Sequence, residues 1–242
     1  MSGAPRTIRY GDDPSQFGEL SLPAGTPCGT VAVIHGGFWK AAYGLEYGRP
    51  LAASLVEHGW AAWTVEYRRV GNGGGVPSTL DDIAAAIDTL AEQDVPLDRV
   101  ITVGHSAGGH LATWAASRGR HPEWPAKVEV TGVVSQAGVL DLRSAYADGL
   151  GDGAVERFLG HPPGTGDDAV DPIRQVPLDV RVHCVHAVDD DTVPISQSRD
   201  YVRAAIDAGG RAELTEVVGG HFVVIEPGSD VWRTTLGILE DL

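Results

Sequence analysis

Residues 100–117, VITVGHSAGGHLATWAAS, decide the fold. The apolar run 100–103 is strand-like, the residues GHSAG at 104–108 match the pattern G-x-S-x-G, and residues 107–117 continue with helical periodicity. This order predicts a sharp strand-to-helix turn that exposes a serine hydroxyl at the carboxyl end of a sheet. Ser106 is therefore the predicted nucleophile.

The same turn predicts donors for a developing oxyanion. The backbone N–H of Ala107 and the positive end of the following helix point at the space beside Ser106. A second donor is expected from the glycine-rich residues 35–39, HGGFW, which follow the strand-like run 30–34. Gly37 is favoured for this role, and Gly36 and Phe38 are the alternatives.

A serine hydroxyl needs a base that accepts its proton during attack. His221 follows the strand-like run 212–217 and the pair Gly219 and Gly220, which places it on a loop at the same sheet edge as Ser106. The other eight histidines fall within strands, in turns or beside the turn at Ser106, so His221 is the predicted base.

The acid that orients this base is expected in the aspartate run 189–191, which leaves a strand and enters a helix. Adjacent side chains diverge, so the three carboxylates cannot all reach one imidazole. Asp190 is favoured, with Asp189 and Asp191 as solvated or capping groups. The chain order Ser, Asp, His is the order expected when the nucleophile lies on such a strand-to-helix turn.

Strand-like and helix-like segments alternate along most of the chain, which predicts an α/β fold with a mainly parallel central sheet flanked by helices. The predicted strands are 16–22, 30–34, 61–65, 100–103, 128–134, 180–188 and 212–217, the first of them an antiparallel edge. The predicted helices are 45–58, 78–93, 107–117, 195–208 and 230–242.

The length of 242 residues fits a single domain, 1–242. Within it, residues 137–177 are rich in Gly, Pro and Asp and show only weak helical periodicity near 154–159. A segment of this size without structure is unusual in a compact domain, and such segments are often lids. A lid-like insertion is therefore predicted at 137–177.

Composition excludes several function classes. The formal net charge of −15 disfavours binding to nucleic acid or to anionic lipid. No apolar run reaches the length of a membrane span, and residues 1–10 lack the apolar core of a signal peptide, so a cytoplasmic protein is expected. Two cysteines are too few for a disulfide framework, and no metal-ligand spacing is present among the nine histidines. No metal and no cofactor are predicted.

Taken together, five motifs resemble the α/β-hydrolase superfamily, most closely its esterase and kynurenine-formamidase (arylformamidase) branch. They are HGGFW at 35–39, EYRR at 66–69, GHSAGGHLA at 104–112, DDDTVP at 189–194 and GGHF at 219–222. The resemblance spans residues 31–232. It implies triad roles for Ser106, Asp190 and His221, and oxyanion roles for Gly37 and Ala107. Phe38 stands where related lipases and esterases have a third glycine.

The expected activity is hydrolysis of a small carboxylic ester, with aryl formamides such as N-formylkynurenine as the alternative. Phe38, Trp39 and Tyr43 are predicted to line the substrate pocket, with Tyr47 beyond them, because aromatic walls suit a small, flat, weakly polar substrate. The alternative is that these aromatic side chains only pack the loop onto the core. An acyltransferase that uses the same triad and a non-catalytic binding protein are the other classes considered. The oligomeric state is not predicted.

Overall fold

A computed structural model describes residues 4–242 of the chain, and its centre is an eight-stranded sheet. The first three residues of the N-terminal segment 1–10 lie outside the described residues. The strands are β1 (Arg6–Arg9), β2 (Phe17–Ser21), β3 (Thr30–Ile34), β4 (Ala61–Val65), β5 (Val100–His105), β6 (Gly132–Gln136), β7 (Arg181–Ala187) and β8 (Ala212–Val217).

Across the sheet the strands follow the order β1-β2-β4-β3-β5-β6-β7-β8. β1 pairs with β2 and β2 with β4 in antiparallel fashion, and all the other neighbours are parallel. The predicted α/β-hydrolase architecture is confirmed. The strand predicted at 16–22 is antiparallel, but β1, which the sequence did not indicate, forms the edge outside it.

Within residues 4–242, seven α-helices complete the fold: α1 (Arg49–Glu57), α2 (Ser78–Asp88), α3 (Ala107–Ala115), α4 (Leu142–Ala147), α5 (Leu150–Leu159), α6 (Ser196–Asp207) and α7 (Asp230–Asp241). Among the described residues, no helix combines the length and apolar character that crossing a bilayer requires.

The two faces of the sheet bury two separate cores. Along β3, Ala32 and Ile34 pack with the helices α2 to α6, whereas Val31 and Val33 pack with α1 and α7. This alternation is the two-residue period of a strand covered on both faces. Each buried Val, Leu or Ile contributes about 1.5–3 kcal/mol to folding. The continuous apolar runs seen in the sequence are explained by burial on both faces.

Three predicted elements differ from the structure by more than two residues. The helix predicted at 78–93 is α2 followed by a 3-10 turn at Thr89–Glu92. β6 begins at Gly132, not at Val128, because only Thr131 of the preceding residues pairs with β5, by donating its N–H to Val100 O at 2.7 Å. The helix predicted at 45–58 is divided into a short 3-10 turn at Leu45–Tyr47 and α1, near whose start Pro50 lies.

The segment 137–177 has more structure than its composition suggests. It contains α4, α5 and two 3-10 turns, at Thr165–Val170 and Pro172–Arg174. Asp141 caps α4 by accepting the N–H of Ser144. The helix α5 buries Val155 and Phe158 in the core, so tertiary burial stabilises a segment whose glycines disfavour helix formation.

Candidate active site

Ser106 lies at the junction of β5 and α3 with a strained backbone. Its φ of 57° and ψ of −122° fall outside the regions that non-glycine residues ordinarily adopt. Its N–H donates to Gln136 O at 2.8 Å and its carbonyl accepts the N–H groups of Gly109 and His110, at 2.9 and 3.2 Å. These bonds hold the sharp turn that the sequence predicted, and the residue borders a pocket.

The structure brings His221 and Asp190 together. His221 Nδ1 lies 2.7 Å from Asp190 Oδ2, and His221 lines the same pocket as Ser106. The Nδ1–H therefore donates to the carboxylate, which leaves the lone pair on Nε2 to accept a proton. Within residues 4–242, no hydrogen bond joins the side chains of Ser106 and His221; such bonds often tighten only when substrate binds.

Asp190 is held ionised by its surroundings. Its Oδ1 accepts the backbone N–H groups of Thr192 at 2.9 Å and Val193 at 2.8 Å, and His186 Nε2 lies 3.3 Å from its Oδ2. Burial acts to raise the pKa of Asp190, but the hydrogen bonds from His186 and His221 outweigh burial and hold this pKa well below its usual range. An ionised acid is what an imidazolium partner requires.

The two neighbouring aspartates have different partners. Asp189 Oδ1 accepts the backbone N–H groups of Gly219 at 2.9 Å and Gly220 at 3.2 Å. These hydrogen bonds lower the pKa of Asp189. Asp191 contacts the hydroxyl of Thr192. The divergence expected for adjacent side chains is thus observed, and Asp189 connects the loop after β7 to the loop that carries His221.

His105 and His186 contact the triad candidates, and sequence analysis assigned them no role. His105 precedes the nucleophile, and its Nε2–H donates to His221 O at 2.9 Å, with ring centroids 4.4 Å apart. Burial lowers the pKa of His105 to about 3, so the ring stays neutral. His186 shares its Nε2 between Val193 O at 2.9 Å and Asp190. Neither contact has a sequence signal beyond proximity to the motifs.

The glycine-rich loop after β3 lies against the nucleophile. It approaches so closely that a Cβ at Gly36 would be 3.0 Å from Ser106 Cβ. Gly36, Gly37 and Phe38 all line the pocket. Ala107 is the first residue of α3, where N–H groups have no intrahelical acceptor. The positions of this loop and of the start of α3 are compatible with the oxyanion roles predicted for Gly37, Ala107 and Phe38. These roles remain predictions.

Trp39 does not line the pocket, contrary to the prediction. Its side chain is only 1% exposed and lies in the core, stacked on Phe158 with centroids 4.5 Å apart and edge-on to His110 at 5.3 Å. The cause is the backbone: Phe38 and Trp39 have φ values of 52° and 54°, and this left-handed turn directs the indole inward. Only Phe38 and Tyr43 of the three predicted contacts reach the pocket.

The pocket beside Ser106 has a cavity volume of about 80 Å³. Four aromatic side chains line it: Phe38, Tyr43, Tyr47 and Phe222. Phe222 is 56% exposed and follows the predicted base directly, a position that sequence analysis passed over. No residue of the segment 137–177 lines this pocket, although the described residues include that whole segment. The predicted lid instead contacts the loop after β3.

A buried charged cluster lies beneath that loop. Glu66 accepts the N–H of Leu45 at 2.9 Å and of Tyr67 at 3.0 Å, and it forms an ion pair with Arg69. His35 lies 3.3 Å from the same carboxylate and stacks on Tyr67. Burial lowers the pKa of His35 to about 3, so this ring is neutral. The EYRR motif therefore supports the start of the loop and does not enter the pocket.

Residues 4–242 contain no group of three or more His, Cys, Asp or Glu side chains placed to hold a metal ion.

Comparison with known proteins gives one family match. The model of the BD-FAE family matches residues 20–204. Esterase LipC of Mycobacterium tuberculosis is 27% identical over 220 residues, which cover 81% of this chain and 54% of that protein. A probable isoprenylcysteine alpha-carbonyl methylesterase of Oryza sativa is 25% identical and is covered over 55% of its length. The chain spans about half the length of the curated relatives it matches.

Solved structures share the fold at lower identity. A truncated carbohydrate esterase from gut microbiota superposes with a TM-score of 0.82 at 19% identity, over 100% of this chain and 95% of that chain. The butyrate-bound esterase Est2 of Thermogutta terrifontis gives a TM-score of 0.78 at 21% identity, over 98% and 92% of the two chains. At these identities the likeness concerns the fold.

Proposed function

The chain belongs to the BD-FAE family, and on this premise we propose that it is a serine esterase that hydrolyses small carboxylic esters through an acyl-enzyme. The observation that carries the proposal is the strained Ser106 in one pocket with His221, whose Nδ1 donates to Asp190. The names of LipC and of the structural neighbours, which are esterases, support the same reaction class.

In the acylation step, Ser106 Oγ attacks the ester carbonyl carbon while His221 Nε2 takes the hydroxyl proton. The carbonyl oxygen becomes an oxyanion, which the N–H groups of Ala107 and of Gly37 or Phe38 stabilise. Collapse of the tetrahedral intermediate breaks the bond to the alcohol oxygen, and His221 returns its proton to that leaving group.

In the deacylation step, a water molecule attacks the acyl-enzyme and His221 Nε2 accepts a proton from it. The second tetrahedral intermediate releases the carboxylic acid and restores the Ser106 hydroxyl. Asp190 stays ionised through both steps and stabilises the imidazolium each time it forms. This role agrees with the lowered pKa of Asp190.

The pocket favours small substrates with a flat group. Its cavity volume of about 80 Å³ lies well below the range for sites that hold drug-sized ligands, and Phe38, Tyr43, Tyr47 and Phe222 offer ring faces for stacking. The neighbour from Thermogutta terrifontis holds butyrate, a short acyl product. We infer short-chain aryl esters as the preferred class. The same aromatic lining favours the second candidate, hydrolysis of aryl formamides such as N-formylkynurenine.

A substrate panel tests the proposal. Purified protein and Ser106→Ala are assayed with p-nitrophenyl acetate, butyrate and octanoate, with N-formylkynurenine, and with a fluorophosphonate probe that labels activated serines. We expect turnover of the short esters, a loss on the order of 10⁴-fold or more in Ser106→Ala, and labelling of the wild type only. Equal turnover in both proteins would contradict the mechanism. Product analysis with an added alcohol separates hydrolysis from acyl transfer.

A further inference from the structure

The segment 137–177, which the sequence suggested as a lid, contacts the loop after β3 through three consecutive residues of that loop. The ring of Phe38 packs on Gly151, Trp39 stacks on Phe158, and Lys40 Nζ donates to Gly151 O at 3.1 Å. All these partners belong to α5. The contacts are of three kinds: packing, stacking and hydrogen bonding. They hold the loop that lies beside Ser106.

We propose that α5 is a brace for the oxyanion loop, with Phe158 and Lys40 as positioning residues that fix the donors beside Ser106. The proposal rests on the proposed esterase function, because the loop matters only if it stabilises an oxyanion. It differs from a lid, since none of the α5 residues enters the pocket.

The loop requires such a brace because its backbone is strained. Phe38 and Trp39 both have left-handed φ values, a conformation that disfavours side chains other than glycine. Such a conformation persists only where the surroundings enforce it. The buried Trp39 supplies this restraint: its indole is fixed between Phe158 of α5 and His110 of α3, at centroid distances of 4.5 and 5.3 Å.

The contact at Gly151 is shaped for Phe38. Gly151 has a φ of +60°, and a Cβ at this position would lie 2.5 Å from the Phe38 ring, so the site admits no side chain. The Gly151 carbonyl accepts both Lys40 Nζ and Arg157, the latter at 2.8 Å. Lys40 also lies over the Phe38 ring, 5.4 Å from its centroid. The start of α5 therefore holds Phe38, whose side chain lines the pocket and whose backbone N–H is a predicted oxyanion donor.

The brace predicts a particular kinetic signature. Oxyanion donors bind the tetrahedral state more strongly than the ester, so a displaced loop lowers kcat and leaves KM nearly unchanged. A displacement of about 1 Å can cost about 10²-fold in rate. A pocket-wall role for the same residues would instead raise KM.

The experiment uses two variants with matched controls. Lys40→Met removes the tether, and its control is Lys127→Met, which changes the only other lysine of the sequence, in a surface pair with Glu92. Phe158→Ala truncates the stacking partner, and its control is Leu239→Ala, an equally buried residue on the opposite face of the sheet. Each protein is measured for kcat and KM with p-nitrophenyl butyrate and for amide hydrogen exchange of residues 36–41.

We expect kcat to fall about 10-fold or more in Phe158→Ala and about 3-fold or more in Lys40→Met, with KM within about 2-fold. Loop amides should exchange faster in both variants and at the wild-type rate in both controls. The proposal that α5 braces the loop is refuted if the loop amides of the variants exchange at the wild-type rate. It is also refuted if the variants lose no more kcat than their controls. If the wild type hydrolyses no ester, the proposed function fails, whereas the exchange data still decide whether α5 orders the loop.

Discussion

Asp190→Asn replaces one carboxylate oxygen by an NH₂ group, and the hydrogen bonds around Asp190 determine which oxygen is replaced. Asp190 Oδ1 accepts two backbone N–H groups, from Thr192 at 2.9 Å and Val193 at 2.8 Å, so the amide oxygen must stay at this position. The NH₂ group then takes the place of Oδ2 and faces His221 Nδ1, at 2.7 Å in the wild type, and His186 Nε2. Two donors would face each other unless His221 changes its protonation.

The change of tautomer is the main consequence. With an amide NH₂ opposite it, His221 Nδ1 becomes the acceptor and the proton moves to Nε2, which can no longer accept the proton of Ser106. We expect kcat to fall about 10⁴-fold, equivalent to about 5 kcal/mol of lost transition-state stabilisation. KM should change little, since Asp190 does not line the pocket.

Asp189→Asn is the matched control, because it removes the same charge one residue away. The amide oxygen of Asn can still accept the N–H groups of Gly219 and Gly220 that Asp189 Oδ1 binds. The loop that carries His221 should keep its place, and we expect kcat to fall by less than about 10-fold.

Both variants are compared with the wild type in steady-state hydrolysis of p-nitrophenyl butyrate, after circular dichroism shows that they are folded. The concentration of active sites in the wild-type preparation is determined by titration with a fluorophosphonate. If Asp189→Asn were inactive and Asp190→Asn active, the acid would be misassigned by one residue. If both variants retained activity, a catalytic role for Asp189 and for Asp190 would be excluded.

Trp39→Ala should lower activity on aryl and alkyl esters equally and lower Tm by roughly 10 °C, because the buried indole contributes about 3–5 kcal/mol to stability; a selective loss on aryl esters would place Trp39 in the pocket after all. His105→Leu should reduce kcat by about 10- to 100-fold through loss of the hydrogen bond to His221 O, and kinetics equal to wild type would exclude this positioning role. Burial lowers the pKa of four histidines: His35 and His105 to about 3, His110 to about 4, and His183 by a smaller amount. The unfolded chain protonates the first three of these histidines below about pH 6.5 and the folded chain does not, so the free energy of unfolding should fall between pH 6.5 and pH 5, by about 1.4 kcal/mol per pH unit for each. Burial raises the pKa of Asp171 to about 7, so its protonation in the folded chain cancels the pH dependence contributed by one of these histidines. The free energy of unfolding is measured with urea at pH 7, 6 and 5, and a constant value would contradict the prediction.

The nucleophile turn was predictable because its signal is local. A strand, a G-x-S-x-G motif and a helix occur within 18 residues, and sterics leave few ways to join them at Ser106. The proposed acid was harder to predict, because three adjacent aspartates look alike in sequence. Only the positions of the His221 loop and of the N–H groups at 192 and 193 distinguish Asp190 from its neighbours.

Two features could not be read from the sequence because tertiary contacts decide them. Trp39 was assigned to the pocket since it follows a glycine-rich loop, but the left-handed turn at Phe38 and Trp39 directs the indole into the core. The helix α5 was missed in part because its first residues, Gly151 to Gly153, have left-handed backbone conformations. Its order comes from burial of Phe158 and not from helix propensity.

The loop that carries His221, the proposed base, is held in place although its sequence is rich in glycine. Its glycines Gly219 and Gly220 would favour mobility, yet side chains from three other segments bind its backbone. Asp189 binds the N–H groups of both glycines, His105 binds the carbonyl of His221, and Gln136 donates to the carbonyl of Val224. These residues follow or end β7, β5 and β6, so the parallel sheet itself sets their spacing. Because each bond is to backbone, the position of the proposed base depends on these neighbours as much as on its own hydrogen bond to Asp190.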